Sequence, residues 1–537
     1  MAKKKTRAKR LSKKNAQKRT ARKGKVSARE RTRPVVKSRV TKKKAARRKR
    51  GVSARASAGI AAKLRKRAAA AMALAKAARA LQGRRIVVAF ADNLNVPQTR
   101  GFKDKKGDWA TLRRMGAKSL APIFTNVDMV NRLEEESRKV REDVPRYRNS
   151  FMLELERSSD TKAVLKVLRS WRDEVRLAYE DREPVLATGG PSAALCNVGS
   201  GHLAAAPEGV HASAAWALQG GQGEGQVCVD VEKAWATHHR LAHPARVQQL
   251  CGGIVSSGCA HGTMVLGILC GSRNLGGCEG IAPEIAEIQL ASHAPGTFGN
   301  LVVRPDRANT PQVENVYDAV AHAIDHLTAV QPVVAGSIRG VLLIEYQTPD
   351  KGLPIEILPL MKGLLRSARN VNVCVVEAAG NGARNLDQEP DIVGGTTFPL
   401  RRAHGGGDSG AIVVGSSSAA FPPNPVTGVH EHARFPTSNF GGRVDCYAWG
   451  EQIRAPTLIA GPPPTPTECE DFGETSGAAA IIAGVALQIL GIAAADGVRL
   501  DVQAVRKILS DPALGTPAPP GSGIGSMPDL KKILLRS

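Results

Sequence analysis

From Gln226 onward, short apolar β-branched runs alternate with stretches of helical composition: "QVCVDV", "IAEIQLAS", "VLLIEYQ", "NVCVVEAAG" and "AIVVGSS". Continuous rather than alternating hydrophobicity within each run predicts strands covered on both faces. Strand–helix alternation predicts a mostly parallel sheet flanked by helices, an α/β fold. In such folds the working groups sit at the carboxyl ends of the strands, where loops leave the sheet. Candidate residues are therefore those just after these runs.

The first 85 residues cannot join that core. Residues 1–50 hold 25 Lys and Arg against one acid, Glu30, and residues 51–85 add nine basic residues and no acid. The whole chain is +29, which leaves residues 86–537 at −4. Residues 1–57 read as a disordered tail that buries nothing. Residues 58–85 are dominated by alanine and read as a short basic helix. Such a segment would bind nucleic acid or another polyanion without sequence preference and lose affinity with salt; the bland alternative is a solubilising extension. No apolar signal core occurs in the first 30 residues, which favours a cytoplasmic over a secreted protein.

Between tail and sheet, residues 86–187 read strand ("IVVAFAD"), charged helix near 128–143, strand ("SFMLELE"), helix over 161–176 and strand over 177–181, a small α+β pattern. Residues 188–225, with "ATGGPSAAL" and "QGGQGEG", read as an exposed linker to a domain over 226–537. The apolar run 477–496 approaches membrane-spanning length but contains Gln488 and many small residues, so it reads as a buried helix and not a transmembrane segment. The nine cysteines are odd in number and form no CxxC pair, which fits buried free thiols, with one or two disulfides left open. No metal-ligand spacing is present.

Two serines compete as a nucleophile. Ser409 lies in "GGGDSGAIVVG", a Gly-Asp-Ser-Gly stretch known from antiparallel double-barrel enzymes, but a parallel-type strand follows it. Ser476 lies in "GETSGAAAIIAG", where a helix begins at the serine. Unpaired N–H groups and the positive end of a helix dipole suit a developing oxyanion, so Ser476 is preferred. A serine needs a base, and the base needs an acid. His261 stands before Gly-Thr and an apolar helix in "CAHGTMVLGILCG". Asp230 closes the strand "QVCVDV", where an isolated carboxylate would be costly. Glu232 faces the same side and rivals it. Asn381, in "AAGNG", can donate its amide to an oxyanion.

The order Asp230, His261, Asn381, Ser476, with "HGT", "AAGNG", "SNFGGRVDCYAWG" and "TSGAAAIIAG", resembles the subtilisin-like serine peptidases over roughly Ala206 to Leu490. The resemblance implies a subtilisin-like α/β fold and hydrolysis of polypeptide substrates. Asp230 would orient the histidine, His261 would act as general base then acid, Ser476 would be the nucleophile and Asn381 the oxyanion donor. It implies no cofactor for chemistry and leaves structural calcium open. The substrate-binding phrase is placed at "GSIRGVLLIEYQ", 336–347, with Ser337, Ile338 and Arg339 as its binding residues, and at Ala379 and Gly380 before Asn381. The motifs depart from the family at "DVEKAW", at Arg339 and at Glu474. Residues 86–187 resemble the family's propeptides, which implies a zymogen. The alternative is a polyanion-binding protein whose peptidase-like domain is inactive or secondary. A related class with a Ser-Glu-Asp set lacks the "HGT" histidine.

Overall fold

The computed structural model describes residues 84–536, apart from 92–107, 140–145, 182, 188–199, 237, 255–257, 274–277, 295–309, 390–407, 420–431 and 460–464. The basic tail and nearly all of the basic Ala-rich segment lie outside the described residues, as does the first part of the expected linker.

The small α+β unit comprises β1 (Arg84–Phe90), α1 (Asp108–Arg114), β2 (Ala117–Pro122), α2 (Val127–Lys139), β3 (Ser150–Leu155), α3 (Thr161–Ser170) and β4 (Val175–Asp181). Its strands form an antiparallel sheet in the order β2-β3-β1-β4. Strand alternation divides β1. Ile86, Val88 and Phe90 pack with Val164 and Leu168 of α3, whereas Val87 and Ala89 join α2 and the main core. The Asp160 side chain caps α3, accepting from the Lys162 and Ala163 N–H groups. The expected helix over 161–176 stops at Ser170, because Trp171–Glu174 form a turn whose Trp171 carbonyl accepts from Glu174 and Val175.

After β5 (Val185–Leu186) comes α4 (Ala212–Trp216), then β6 (Val227–Val231), β7 (Val247–Cys251), α5 (Cys259–Cys270), β8 (Glu287–Ala291), α6 (Val316–Ala329), β9 (Val341–Ile344), β10 (Tyr346–Gln347), α7 (Pro359–Asn370), β11 (Cys374–Ala378), β12 (Ile412–Ser417), β13 (Cys446–Trp449), β14 (Ile453–Ile459), β15 (Thr465–Phe472), α8 (Glu474–Ala495), α9 (Val502–Ser510), β16 (Gly515–Pro517), β17 (Ser526–Pro528) and α10 (Leu530–Leu534). Nine strands form one sheet, ordered β16-β17-β13-β12-β11-β9-β6-β8-β7. Only the β16–β17 pairing is antiparallel. This is the expected α/β architecture.

The apolar run near the C-terminus is α8, 22 residues long and buried against the sheet from Thr475 to Ile492. Its Gln488 donates to the Gly221 carbonyl at 2.8 Å. That bond corrects the expected exposed linker: residues 200–225 are part of the peptidase-like body. Trp216 donates to the Ile281 carbonyl and Trp449 to that of Glu208, so this Gly- and Ala-rich stretch is held by side chains from later in the chain. Cys228, Cys251, Cys270 and Cys374 are buried free thiols.

The small unit docks on α6 and α7. Thr125 donates through Oγ1 to Asp318 at 2.7 Å, Asn315 donates to the Ile123 carbonyl at 2.8 Å, and Arg132 pairs with Asp325 at 2.8 Å. The Ser367 hydroxyl lies within hydrogen-bonding distance of Ser137 and Tyr147. This docking delivers the segment after β4 to the carboxyl ends of β6 and β9.

Candidate active site

Parallel β6 and β9 are neighbours, with Val231 opposite Ile344, so the next residues, Glu232 and Glu345, emerge side by side. The helix α5 brings His261 to the same place from its first turn. His261 Nδ1 and a Glu232 carboxylate oxygen form a hydrogen-bonded pair, and the second Glu232 oxygen accepts from the Lys233 N–H at 3.0 Å. A Glu345 oxygen lies 3.8 Å from the same Nδ1. Phe472 meets the imidazole edge-to-face with ring centroids 5.2 Å apart.

The expected acid, Asp230, is not the residue against the histidine. It is fully buried, and neither carboxylate oxygen has a hydrogen-bond partner. Burial, then the nearby Glu232 carboxylate, holds its carboxyl well above the usual range. The reason for the shift is reach: Asp230 lies within β6, one rung back, while Glu232 stands just beyond the strand end, with one more methylene. Glu232, Glu345 and His261 also place their donor atoms within 4.8 Å of one another. The Nδ1–carboxylate hydrogen bond accounts for this grouping without an ion.

Ser476 is the third residue of α8 and fully buried. Its Oγ donates to the main-chain carbonyl of Ala187 at 2.6 Å. His261 Nε2 is buried with no hydrogen-bond partner. The Ala187 N–H donates to the Glu345 carbonyl at 2.7 Å, and Val185 and Leu186 pair antiparallel with Gln347 and Tyr346. Residues 185–187 thus run as an added strand along the segment 345–347.

Asn381 stands opposite. Its Oδ1 accepts from Thr475 Oγ1 at 2.7 Å and from the Thr475 N–H at 3.2 Å, which orients the amide. Nδ2 is buried without a partner. The Asn381 N–H donates to Gln347 at 2.7 Å. Ala379 and Gly380 hold this turn beside the cleft. Gly380 has φ +86°, and a Cβ there would come within 2.2 Å of the Gly352 carbonyl oxygen, so only glycine fits. Asn439, in the "SNFGG" phrase, ties the turn by donating to the carbonyls of Ala379 and Gly352 and accepting from the Arg384 N–H. Glu474, beside Asn381 and Thr437, has its carboxyl pushed up to about 7 by burial.

Ser337, Ile338 and Arg339 are not in this cleft. They precede β9 at its amino end, opposite to the end bearing Glu345. Arg339 caps α6 there, donating to the carbonyls of Thr328 and Val330. The segment that meets the added strand is Glu345–Gln347, about one strand length later. The signal was a carboxyl closing the apolar run "VLLIE", the same kind of signal that drew attention to Asp230.

Ser409 is also placed. It is fully buried, and its Oγ donates to Glu356 at 2.6 Å. Glu356 receives both Nε and Nη2 of buried Arg443, whose Nη1 pairs with Asp445 at 2.8 Å. The Gly-Asp-Ser-Gly stretch serves an ion network at the amino end of β12.

No curated protein matches the chain. Among solved structures it is similar to the MycP3 protease from the type VII (ESX-3) secretion system, at 20% identity, covering 66% of this chain and 94% of that one, with TM-score 0.42. It is similar to fervidolysin from Fervidobacterium pennivorans, a keratinolytic enzyme related to subtilisin, at 15% identity over 84% of this chain and 61% of that one, with TM-score 0.47. A cold-adapted subtilisin-like serine proteinase matches at 16% identity, covering 57% and 88%, with TM-score 0.36. The family model for S8 peptidases, the subtilase family, matches residues 253–522, half of the chain. The matched span holds His261, Asn381 and Ser476 and begins after the strand bearing Asp230. The chain belongs to the subtilase family of serine peptidases.

Proposed function

We propose that the protein is a serine endopeptidase made as a zymogen, in which residues 86–187 are the propeptide and Ala187–Thr188 is the first bond cut. One observation supports this above the rest. Ala187 is held as a substrate would be, extended, main-chain bonded to Glu345, with its carbonyl at Ser476 Oγ.

In this reading Glu232 takes the acid role, orienting His261 through Nδ1 and leaving Nε2 to face the nucleophile. Ser476 turns from the Ala187 carbonyl oxygen to its carbon and gives its proton to Nε2 as the Oγ–C bond forms. The oxyanion receives the free amide of Asn381 and the N–H of Ser476 at the start of α8. The imidazolium then protonates the Thr188 nitrogen as the peptide bond breaks. Water, activated by the same Nε2, hydrolyses the Ala187 ester. Polypeptides with small residues at the cut position are the substrate class, since Ala187 is fully buried.

Labelling with a fluorophosphonate, followed by mapping of the modified residue and N-terminal sequencing of the products, tests this. Label on Ser476 and a new terminus at Thr188 are expected. Label elsewhere, or a stable active chain with no cut between 187 and 210, would overturn it.

The basic residues 1–85 are proposed as a polyanion anchor that the same cut would release. Full-length protein should bind heparin or DNA in a salt-sensitive way. A chain lacking residues 1–85 should not, and equal retention of both would sink the idea.

A further inference from the structure

Three carboxyl groups meet behind the imidazole, and the proposed mechanism uses one of them. Asp230, Glu232 and Glu345 are each fully buried. Asp230 lies in β6 and Glu232 just past its end, and Glu345, just past the end of β9, stands across the β6–β9 ladder from Glu232. Among the described residues, the cation paired with them is His261, whose Nδ1 touches Glu232 and lies 3.8 Å from Glu345. Both Glu345 oxygens lack a hydrogen-bond partner of their own. Like-charged carboxylates at this spacing cannot all ionise, and a buried, unpaired carboxylate is costly. A group with no partner but a neighbouring carboxylate has one inexpensive solution: keep a proton and donate it to that neighbour.

We propose that Glu345 is a positioning residue: its carboxylic acid hydrogen-bonds the Glu232 carboxylate and holds it against His261 Nδ1, so that the histidine's partner is a Glu–Glu pair carrying one proton and one negative charge. This rests on the peptidase reading of Ser476 and His261. Burial, then Asp230 and Glu232, keeps the Glu345 carboxyl well above the usual range, in agreement with the geometry. The same residue accepts the Ala187 N–H through its main chain, so one residue touches both the added strand and the acid.

Among the described residues, the titratable groups around the pair are Cys228 and Asp230 on β6, Cys259, whose thiol burial pushes up to about 11, and His261 on α5, and Tyr346 on β10. Glu377 on neighbouring β11 is engaged instead with the Glu356 N–H. Burial holds Cys228, Asp230 and Tyr346 in their neutral forms well above their ordinary ranges. The shared proton is therefore the group whose loss adds a second charge beside Glu232, and activity should fall on the alkaline side as it leaves.

Glu345→Gln keeps a donor to Glu232 and cannot lose a proton. Glu345→Leu removes the donor at similar size. The enzyme is expressed as the full chain and, after self-cleavage and departure of the fragment, assayed with a Pro-Val-Leu-Ala anilide across pH, with fluorophosphonate labelling in parallel. Glu345→Gln should keep kcat within about threefold and extend the alkaline limb by about one pH unit. Glu345→Leu should lose roughly 10–100-fold in kcat with KM unchanged, a part of the loss expected for a misplaced histidine. Infrared spectra of the full chain carrying Ser476→Ala should show a protonated carboxyl band at neutral pH that Glu345→Gln removes. This readout needs no activity, so it separates failure of this proposal from failure of the peptidase reading. Equal kinetic loss in both variants, superposed alkaline limbs, or an unchanged infrared band would each overturn it.

Discussion

The main-chain carbonyl of Ala187 accepts a hydrogen bond from Ser476 Oγ across 289 positions of sequence, at 2.6 Å. The contact joins the end of the small α+β unit to the nucleophile. Ser476→Ala should therefore accumulate as an uncut chain, while the unmodified protein yields a fragment beginning at Thr188. Ala187→Asp should block the cut, because the residue is fully buried and a carboxylate there would be unpaired. Intact-mass measurement after expression decides both.

The two candidate acids separate by substitution. Glu232→Gln should lower kcat by roughly 10³–10⁴-fold, since the amide favours the wrong tautomer of His261. Asp230→Asn should stay within about tenfold of the parent, because Asp230 is held in its neutral form and the amide is its near isostere. The reverse ranking in steady-state kinetics would return the acid role to Asp230.

Asn381→Ala should reduce kcat by roughly 10²–10³-fold with KM little changed, as expected for a donor that strengthens its bond in the transition state. Ser409→Ala should leave fluorophosphonate labelling intact and cost about 1–3 kcal/mol of stability, through its lost bond to Glu356.

Glu474 predicts a pH dependence of stability. Its folded-state carboxyl is raised from 4.5 to about 7, so between these values the folded chain holds a proton that the unfolded chain has released. More protons in the native state means stability declines as pH rises through that window and levels off above it. Glu474→Gln should flatten this part of the profile. Thermal melts between pH 4 and 8, compared with the parent, provide the check.

Arg443 is the buried cation of the Ser409 network. Arg443→Met should destabilise by about 3–5 kcal/mol, because it leaves the fully buried Glu356 without its cation, while Asp445 keeps Arg506 at 3.1 Å. Replacing Arg443 and Glu356 together with apolar residues of similar volume should recover most of that loss, measured by denaturant unfolding.

The parallel sheet was legible because each strand is apolar on both faces, and α8 because its composition fits burial on all sides. His261, Asn381 and Ser476 were legible from small-residue phrases that let chain segments approach closely. The acid was not. Alternation places Asp230 and Glu232 on one face, and only the position of α5 selects between them. Within the phrase 336–347 the binding residues were placed at 337–339 rather than 345–347, because the chemistry of residues 345–347 is mainly main-chain pairing, to which side-chain identity is nearly silent. Residues 200–225 read as linker because glycine and alanine hide their partners, Trp449 and Gln488, which lie more than two hundred positions away.

The docking of residues 185–187 as a strand against 345–347 has a kinetic corollary. Hydrolysis of one peptide bond does not undo the main-chain pairing of β5 with β10, nor the bonds from Thr125, Ile123 and Arg132 to α6. A nicked chain is still a plugged one. The onset of turnover would then be timed by departure of the severed fragment rather than by its severing, and a burst of cut protein should precede a lag in which little substrate is consumed.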